Sequence, residues 1–451
     1  MSNKIVELEI VDLANEGQAV AHLDGKVVFL KGGLPGETVL AEITRRKPRY
    51  DEGKVREILK KSPERIDAAC DHFELCGGCT WQDLSYESQL KFKRKQVCDS
   101  IERIGGLENV KVADIVPSRD RFFYRNKMEF SFHVDNERDF TLGLHRRGRF
   151  DEIFDIDRCL LESELSNRLV VWFRDFVRER HIPVYDVKHH VGFMRFLMIR
   201  ETKNTGQTMV NIVTNYGDFP DEAMLVERLR QDFPEVTTVV HNQNGKKSNI
   251  AAGEIEKVLY GPGYIEEKLF DQTFRIRANS FFQTNPRQAE VLYRTGFEML
   301  GAGKDDALID LYSGAGSIGI LAAPNVKKVI GVELVGDAVR AARENAAING
   351  IENIEFVEGD VKDFLVSSEY DKTGFNIVML DPPRAGLHPK AVKKIIEFKP
   401  EKILYISCNP ATFARDAGEF VQAGYLLPEV KPVDMFPHTT HIELVGVFKS
   451  V

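Results

Sequence analysis

Glycine and acidic residues in the C-terminal half of the chain have the spacing of a nucleotide-binding site. Gly314, Gly316 and Gly319 follow the apolar run 307–311 in a G-x-G-x-x-G pattern, and Glu333 ends the next apolar run. A strand, a glycine turn and a helix in this order are typical of a dinucleotide site whose acid binds a ribose hydroxyl. The same pattern also occurs in tight strand–helix turns without a ligand, so both interpretations stay open on this motif alone.

Three further acids favour S-adenosylmethionine over a nicotinamide dinucleotide. Asp310 lies at the end of the first predicted strand, where a carboxylate suits a cationic aminoacyl group, and Asp360 ends the segment 354–360, where it suits an adenine edge. Asp381 follows the apolar segment 375–380 and opens the sequence Asp-Pro-Pro-Arg. All these acids fall at carboxyl ends of successive predicted strands, the edge at which open α/β sheets bind ligands. The combination predicts a class I, Rossmann-like methyltransferase domain.

A lone cysteine supplies a candidate nucleophile for that domain. Cys408 stands in Ser-Cys-Asn-Pro, directly after the predicted strand 402–407. C5 of a pyrimidine is a poor nucleophile until a group adds at C6, so methylation at this carbon needs such a cysteine. Amino-group methylases usually carry an aromatic residue after the two prolines, where this chain has Arg384. A buried, inert thiol is the usual role of a single cysteine, but this setting favours a catalytic one.

The other five cysteines, Cys70, Cys76, Cys79, Cys98 and Cys159, lie in the first 160 residues. In a reducing compartment such a cluster indicates a metal site. Zinc sites usually have two close cysteine pairs, and only Cys76 and Cys79 form such a pair here, whereas thiolates also bind iron–sulfur clusters. Zinc, an iron–sulfur cluster and simple packing are therefore the alternatives. Cys98 is expected to be a packed helical residue, and a metal site at His438 and His441 is disfavoured because no third ligand is evident nearby.

Three units must position these residues. Alternating short apolar runs and glycine turns in residues 1–60 predict an OB-like β-barrel, and residues 61–263 form a strand-rich central domain. From 264 to 451 strands alternate with helices, which predicts a parallel sheet covered by helices. Helical spacing of apolar residues predicts a helix over 83–104, and residues 82–113 are a candidate for packing on the third unit.

Length, composition and charge bound the function. The 451 residues are 43% hydrophobic and 29% charged, which is typical of a globular protein of two or three domains. The formal net charge of −8 excludes a histone-like polymer binder, but basic residues cluster at 45–65, 91–95 and 121–127, which favours contacts with RNA phosphates. No secretory signal or membrane span is predicted, so we expect a cytoplasmic protein, and no obligate protein partner is indicated.

The chain contains the motifs Asp381-Pro-Pro-Arg-Ala-Gly and Ser407-Cys-Asn-Pro. On these motifs it resembles, over nearly its whole length, the RNA uracil-5-methyltransferases of the RumA/TrmA type. The resemblance implies that Cys408 is the nucleophile and that Glu443 is the base that removes the C5 proton. It also implies S-adenosylmethionine contacts by the residues Gln283, Tyr312, Glu333 and Asp381, and the pattern of the predicted strand ends adds Gly314 and Asp360 as candidates. Ser317 departs from the asparagine of a relative, which puts a contact by this side chain in doubt.

The resemblance also covers the N-terminal half. Residues 1–60 look like the TRAM domain, an RNA-binding barrel that ribosomal-RNA members carry and bacterial transfer-RNA members lack. Cys70, Cys76, Cys79 and Cys159 match the family's [4Fe-4S] site. The implied substrate is an unpaired or flipped uridine in large-subunit (23S) ribosomal RNA.

Four rival functions remain. A transfer-RNA uracil-5-methyltransferase is the nearest, and a non-catalytic RNA-binding or ribosome-assembly factor is the rival from another class. A cytosine-5 methylase is disfavoured because such enzymes typically have cysteine in the motif where this chain has Asp381-Pro-Pro. A nicotinamide-dependent oxidoreductase is the remaining alternative, and it would require binding of a nicotinamide cofactor.

Overall fold

The computed structural model describes residues 4–135, 139–247, 250–367 and 372–451. The first five strands close into a barrel in the order β1-β2-β3-β5-β4. Alternate residues of these strands, such as Leu8, Val28 and Val39, point inward and are buried. Trp81 and Leu84 from the following segment complete this core. The strands are β1 (Lys4–Leu13), β2 (Ala19–Leu23), β3 (Lys26–Lys31), β4 (Thr38–Arg46) and β5 (Tyr50–Lys60).

A long helix, α1 (Tyr86–Arg103), and a short strand, β6 (Lys111–Val112), connect the barrel to the rest of the chain. The Ser85 hydroxyl accepts a hydrogen bond from the Ser88 amide and caps the start of α1. Val97 and Ile101 on this helix pack into a hydrophobic core shared with the C-terminal sheet. The segment between barrel and central domain is thus attached to the C-terminal unit.

The central domain is a seven-stranded sheet of order β13-β12-β11-β10-β7-β8-β9. Two amphipathic helices, α2 (Glu164–Glu179) and α3 (Glu222–Asp232), pack against apolar side chains of this sheet. The strands are β7 (Lys127–Asp135), β8 (Asp139–Arg146), β9 (Arg149–Asp155), β10 (Met194–Glu201), β11 (Thr208–Thr214), β12 (Val236–Gln243) and β13 (Ile255–Tyr260).

A hairpin and a helix lead into the C-terminal sheet: β14 (Tyr264–Leu269), β15 (Gln272–Arg277) and α4 (Pro286–Leu300). The main path of that sheet has the order β18-β17-β16-β19-β20-β23-β22-β6, and β21 pairs with β23. Its first five strands are parallel and nearly uniformly apolar because both faces are covered, whereas β23 runs antiparallel to β20. The strands are β16 (Ala307–Leu311), β17 (Lys328–Glu333), β18 (Ile354–Glu358), β19 (Ile377–Leu380), β20 (Lys402–Ser407), β21 (Tyr425–Leu426), β22 (Glu429–Val433) and β23 (Glu443–Ser450).

Helices lie on both faces of this sheet and separate two apolar cores. They are α5 (Ser317–Ala322), α6 (Gly336–Ile348), α7 (Val361–Val366), α8 (Pro389–Phe398) and α9 (Pro410–Gln422). The predicted fold class is therefore confirmed: a multi-domain α/β chain with an OB-like barrel, a strand-rich middle and a doubly wound C-terminal sheet.

Candidate active site

A cleft of about 1470 Å³ lies at the carboxyl ends of the parallel strands. Its position agrees with the rule that open α/β sheets bind ligands at this edge. Eight residues predicted for catalysis or cofactor binding line it, namely Gln283, Tyr312, Gly314, Glu333, Asp360, Asp381, Cys408 and Glu443.

The glycine turn after β16 forms one wall of the cleft. Gly316 has φ of +84°, and a Cβ there would lie 2.7 Å from the Phe356 ring, so only glycine fits. The Glu333 carboxylate accepts hydrogen bonds from the amides of Gly314 (3.0 Å) and Val335 (2.9 Å). A carboxylate has about four acceptor positions, so Glu333 can still accept from ribose hydroxyls.

Asp310 takes a different place from the one expected. It is fully buried below the turn, is not among the described residues that line the cleft, and accepts a hydrogen bond from the Gly319 amide at 2.9 Å. Its other carboxylate oxygen is buried without a hydrogen-bond partner. Burial raises the pKa of Asp310 to about 8. Asp310 therefore supports the turn instead of facing an aminoacyl group.

Asp360 also lines the cleft and caps helix α7. Its carboxylate accepts from the Lys362 amide at 2.8 Å and pairs with the Lys362 ammonium at 3.1 Å. Burial alone would raise the pKa of Asp360, but these contacts with Lys362 hold it below its ordinary value. Asp360 is thus a fixed, ionised acceptor, which suits a hydrogen-bond donor on a ligand.

Cys408 and Glu443 meet across two antiparallel strands. Ser407 of β20 pairs with Leu444 of β23, so one further step in the same register puts Cys408 opposite Glu443. Burial raises the pKa of Cys408 to about 11, and the carboxylates of Glu443 and Asp381 add to this effect while Arg384 opposes it. Burial likewise raises the pKa of Glu443 well above its ordinary value, with Asp381 adding to it.

Arg384 is the positive group of this part of the cleft. Its guanidinium donates to the His441 ring at 2.9 Å, and its carbonyl accepts from the Asn409 side chain at 3.0 Å. Desolvation by the surrounding protein, with the positive charge of Arg384 adding to it, lowers the pKa of the exposed His441 ring to about 4, so a neutral ring accepts this bond. Asn409 follows Cys408 directly, and its bond ties the segment that carries Cys408 to the Asp-Pro-Pro-Arg loop.

Tyr293 is a residue of the cleft that no sequence motif indicates. It lies on α4, is 2% exposed, lines the cleft, and is hydrogen-bonded to the Gln283 side chain. Burial raises its pKa well above the ordinary value, and the carboxylates of Asp381 and Glu443 add to the shift. Only a tertiary contact reveals such a residue, because an aromatic side chain on an apolar helix face normally indicates packing alone.

The four predicted cluster ligands lie together at the core of the central domain. Cys79 and Cys159 are buried, Cys70 and Cys76 are half-buried, and none forms a disulfide. Burial raises the pKa of Cys79 to about 11, and the neighbouring Cys76 and Cys70 add to this shift. In the described ranges, no group of three or more His, Cys, Asp or Glu residues is arranged to hold a metal ion. The iron–sulfur cluster stays a prediction.

The two histidines of the H-x2-H motif have different surroundings. His441 lines the cleft, whereas His438 stacks on the Phe122 ring at 4.4 Å outside it. Burial lowers the pKa of His438 to about 4. The His438 ring therefore lies in the packed interior, and the His441 ring contacts Arg384.

One residue of the predicted basic clusters needs a correction. Lys93 of the stretch 91–95 is fully buried in an ion pair with Asp434, because a polar helix face can be buried when it meets polar partners. Lys95 of the same stretch pairs with Asp12 and Asp99, and Arg121 of the stretch 121–127 lies over the Tyr86 ring at 4.1 Å, but both side chains keep exposed surface. Lys93 is therefore not available to phosphates.

The basic cluster at 45–65 is the more accessible one. Arg45, Arg46 and Arg49 are exposed at the end of β4 and in the turn that follows it. Arg65 is instead held by the buried Glu37 at 2.6 Å. The tip of the barrel therefore offers the positive surface that RNA phosphates require.

No helix within the described residues is both long and apolar enough to cross a membrane.

Residues 85–450 match the tRNA (uracil-5-)-methyltransferase family, and residues 1–55 match the TRAM domain. An uncharacterized RNA methyltransferase of Chlorobaculum tepidum is 41% identical over 99% of this chain and 96% of its own length. Another, of Caldanaerobacter subterraneus subsp. tengcongensis, is 41% identical over 99% of both chains.

A solved structure extends the likeness to three dimensions. The Pyrococcus abyssi tRNA (uracil-54, C5)-methyltransferase, in complex with S-adenosyl-L-homocysteine, is 34% identical and superposes with a TM-score of 0.80. The match covers 98% of this chain and 100% of that one. The chain thus belongs to the tRNA (uracil-5-)-methyltransferase family, as an S-adenosylmethionine-dependent RNA (uracil-5-)-methyltransferase with a TRAM domain.

Proposed function

We propose that the protein methylates C5 of a uridine in large-subunit ribosomal RNA, with Cys408 as nucleophile and Glu443 as base. The observation that carries this proposal is the continuation of the β20–β23 register, which brings Cys408 opposite Glu443 in the cleft. The glycine turn, Glu333 and Asp360 offer the acceptors and the space that a nucleoside-bearing methyl donor requires. S-adenosylmethionine, when bound there, supplies the methyl group.

The residues of the chain account for the remaining chemistry. The Cys408 thiolate forms a bond to C6, and the electron pair displaced to C5 makes that carbon able to accept the methyl group. The Glu443 carboxylate then takes the C5 proton, the C6–sulfur bond breaks, and the thiolate leaves. Glu443 must be ionised for its step. Burial and the neighbouring Asp381 raise its pKa and favour the neutral form, and Arg384 opposes them.

Two substitutions separate the two roles. Cys408→Ala should bind RNA but form no covalent link, whereas Glu443→Gln should form the methylated adduct and release it slowly. A positioned base contributes roughly 10²–10⁴-fold, so the adduct should accumulate as a slow band on a denaturing gel. The band should carry label from methyl-labelled cofactor and be absent from the double variant. Normal turnover by Glu443→Gln would rule out Glu443 as the base.

The choice of ribosomal RNA rests on the TRAM domain and has a specific rival. The Pyrococcus abyssi enzyme acts on tRNA and matches 98% of this chain, which favours tRNA as the second candidate. Unmodified ribosomal and transfer RNA transcripts should therefore be assayed separately with labelled cofactor. Methylation of tRNA alone would show that tRNA is the substrate in place of ribosomal RNA. If Cys408→Ala behaved like the wild type in these assays, a non-catalytic role would be favoured.

We propose that Cys70, Cys76, Cys79 and Cys159 bind a [4Fe-4S] cluster that supports the central domain. Four free cysteines converge in one core, and two of their sulfurs accept hydrogen bonds, Cys76 from the Gly78 amide and Cys79 from the Gln82 side chain, both at 3.3 Å. Such bonds are typical of thiolate ligands. Methyl transfer is redox-neutral, so the cluster's role is structural.

Anaerobic purification tests the cluster directly. The protein should be brown, absorb broadly near 400 nm, and contain about four irons and four sulfides per chain. Cys159→Ser should lose the colour, while Cys98→Ser on α1 is the matched control and should keep it. Stoichiometric zinc without iron would contradict the proposal.

We also propose three functional units: 1–60 for RNA binding, 61–263 around the cysteine site, and 264–451 for methyl transfer. Residues 82–113 interrupt this simple order, because Val97 packs with the C-terminal core and β6 pairs with β22. Limited proteolysis should therefore cleave near residues 61–64 before it separates α1 from the C-terminal unit.

A further inference from the structure

One polar face of α1 reaches the loop that carries the catalytic base. Tyr86, Gln89 and Lys93 are spaced i, i+3 and i+7, so they lie on the same side of the helix. All three are buried, and each contacts the segment 434–438 between β22 and β23. A buried polar face of this kind needs partners, and the loop supplies them.

The centre of this contact is an ion pair without solvent exposure. The Lys93 ammonium donates to the Asp434 carboxylate at 2.6 Å and to the Phe436 carbonyl at 3.1 Å. The Tyr86 hydroxyl donates to the other Asp434 oxygen at 2.7 Å and accepts from the Ser118 amide at 2.8 Å. The start of the loop is thus held by two residues of α1.

The middle of the loop is held just as closely. Gln89 accepts from the His438 amide at 2.9 Å, and the His438 carbonyl accepts from the amides of Thr80 (2.8 Å) and Trp81 (3.0 Å). His438 has φ of +66°, a conformation that non-glycine residues adopt only where the surroundings enforce it. These contacts fix the backbone in that conformation.

A short chain of bonds continues to the active site. The Phe436 carbonyl, which accepts from Lys93, also accepts from the Thr439 hydroxyl at 2.8 Å. That hydroxyl in turn accepts from the His441 amide at 3.2 Å, and His441 contacts Arg384 in the cleft. The bonds therefore run from α1 to the residue two positions before Glu443.

We propose that Lys93 is a positioning residue that, through Asp434, fixes the 434–442 loop so that Glu443 faces Cys408. The inference rests on the proposed role of Glu443 as base. Buried ion pairs are weak contributors to stability compared with apolar replacements, but they fix one arrangement when each partner has a single position to occupy. A small displacement of a reacting group can lower the rate about 100-fold, so a loop held in one arrangement favours catalysis.

The test uses a double variant, since Lys93→Met alone would leave the Asp434 charge buried without its partner. Lys93→Met/Asp434→Asn removes both charges and keeps an acceptor for Tyr86. We expect proton release from [5-³H]uridine RNA to slow about 10- to 100-fold, with KM for RNA unchanged and adduct accumulating as in Glu443→Gln. Gln89→Met loosens the same loop without a charge change and should show the same defect if the double variant does not fold.

The matched control is Lys111→Met/Glu429→Gln, which removes an exposed lysine–carboxylate pair at the other end of β22, 2.6 Å apart. Its ratio of adduct to product per active site should equal that of the wild type. A wild-type ratio in the folded Lys93 variant, or in Gln89→Met, would overturn the inference while Glu443→Gln still traps adduct. If Glu443→Gln traps none, the proposed function fails first, and the inference fails with it.

Discussion

The thiol of Cys408 should ionise only at high pH in the free protein. Burial is the main cause of its pKa of about 11, the carboxylates of Glu443 and Asp381 raise it further, and Arg384 lowers it. Because this pKa lies about two above that of an ordinary thiol, the thiolate fraction at pH 8 is about 100-fold smaller. Alkylation by iodoacetamide measures this fraction, because the thiolate is the reacting form.

The rate should be followed on the Cys408 peptide by mass spectrometry between pH 7 and 10, with N-acetylcysteine as the reference thiol. We expect the Cys408 rate to rise tenfold per pH unit across this range, whereas the reference levels off near pH 9. Restricted access of the reagent lowers every rate equally and leaves the pH dependence unchanged. The comparison therefore isolates the ionisation.

Two variants test the cause of the shift. Glu443→Gln removes a carboxylate that opposes ionisation and should raise the alkylation rate at pH 8, whereas Arg384→Gln removes the favourable charge and should lower it. A plateau with a midpoint below pH 9, or shifts in the same direction in both variants, would refute the electrostatic reasoning.

Three further outcomes are expected. Asp310→Asn should raise the melting temperature at pH 8 but not near pH 4. The pKa of Asp310 in the folded protein, about 8, lies above its value in the unfolded chain, so the stability of the wild type falls as pH rises between these two values. An equal difference in melting temperature at both pH values in differential scanning fluorimetry would contradict this. Replacing Arg45, Arg46 and Arg49 by glutamine should reduce the slope of log binding constant against log salt concentration by up to about 2. An unchanged slope in filter-binding measurements would show that RNA binds to another surface. Asp416→Ala leaves the Tyr405 hydroxyl and the Leu387 amide without their acceptor, 2.8 and 2.9 Å away, and should cost about 1–3 kcal/mol of unfolding free energy, measured by urea denaturation against the exposed control Glu419→Ala.

The cofactor side of the cleft could be predicted from the sequence because its geometry is local. A glycine turn after an apolar strand, and acids at the ends of the next strands, must meet at one edge of a parallel sheet. Glu333, Asp360 and Asp381 accordingly line the cleft. Asp310 differs from the expectation because its carboxylate lies below the turn and accepts a hydrogen bond from the Gly319 amide.

The polar face of α1 differs from its prediction for a physical reason. Polar residues at helical spacing normally face water, so the sequence predicts that Lys93 belongs to an exposed basic surface. Its partner Asp434 lies 341 positions away in the chain. A pattern within one helix contains no information on such a partner, so only the tertiary structure reveals that this polar face is buried.

The direction of β23 explains why Cys408 and Glu443 meet although they come from opposite ends of their strands. Cys408 follows the last residue of β20, and Glu443 is the first residue of β23. Because β23 runs antiparallel to β20, its first residue lies at the edge where β20 ends. A parallel strand of the same eight residues would carry its first residue to the other edge of the sheet, roughly 20 Å or more away at about 3.3 Å per residue. The antiparallel strand, with its loop held by α1, is therefore what brings a carboxylate to a cleft that parallel strands otherwise build.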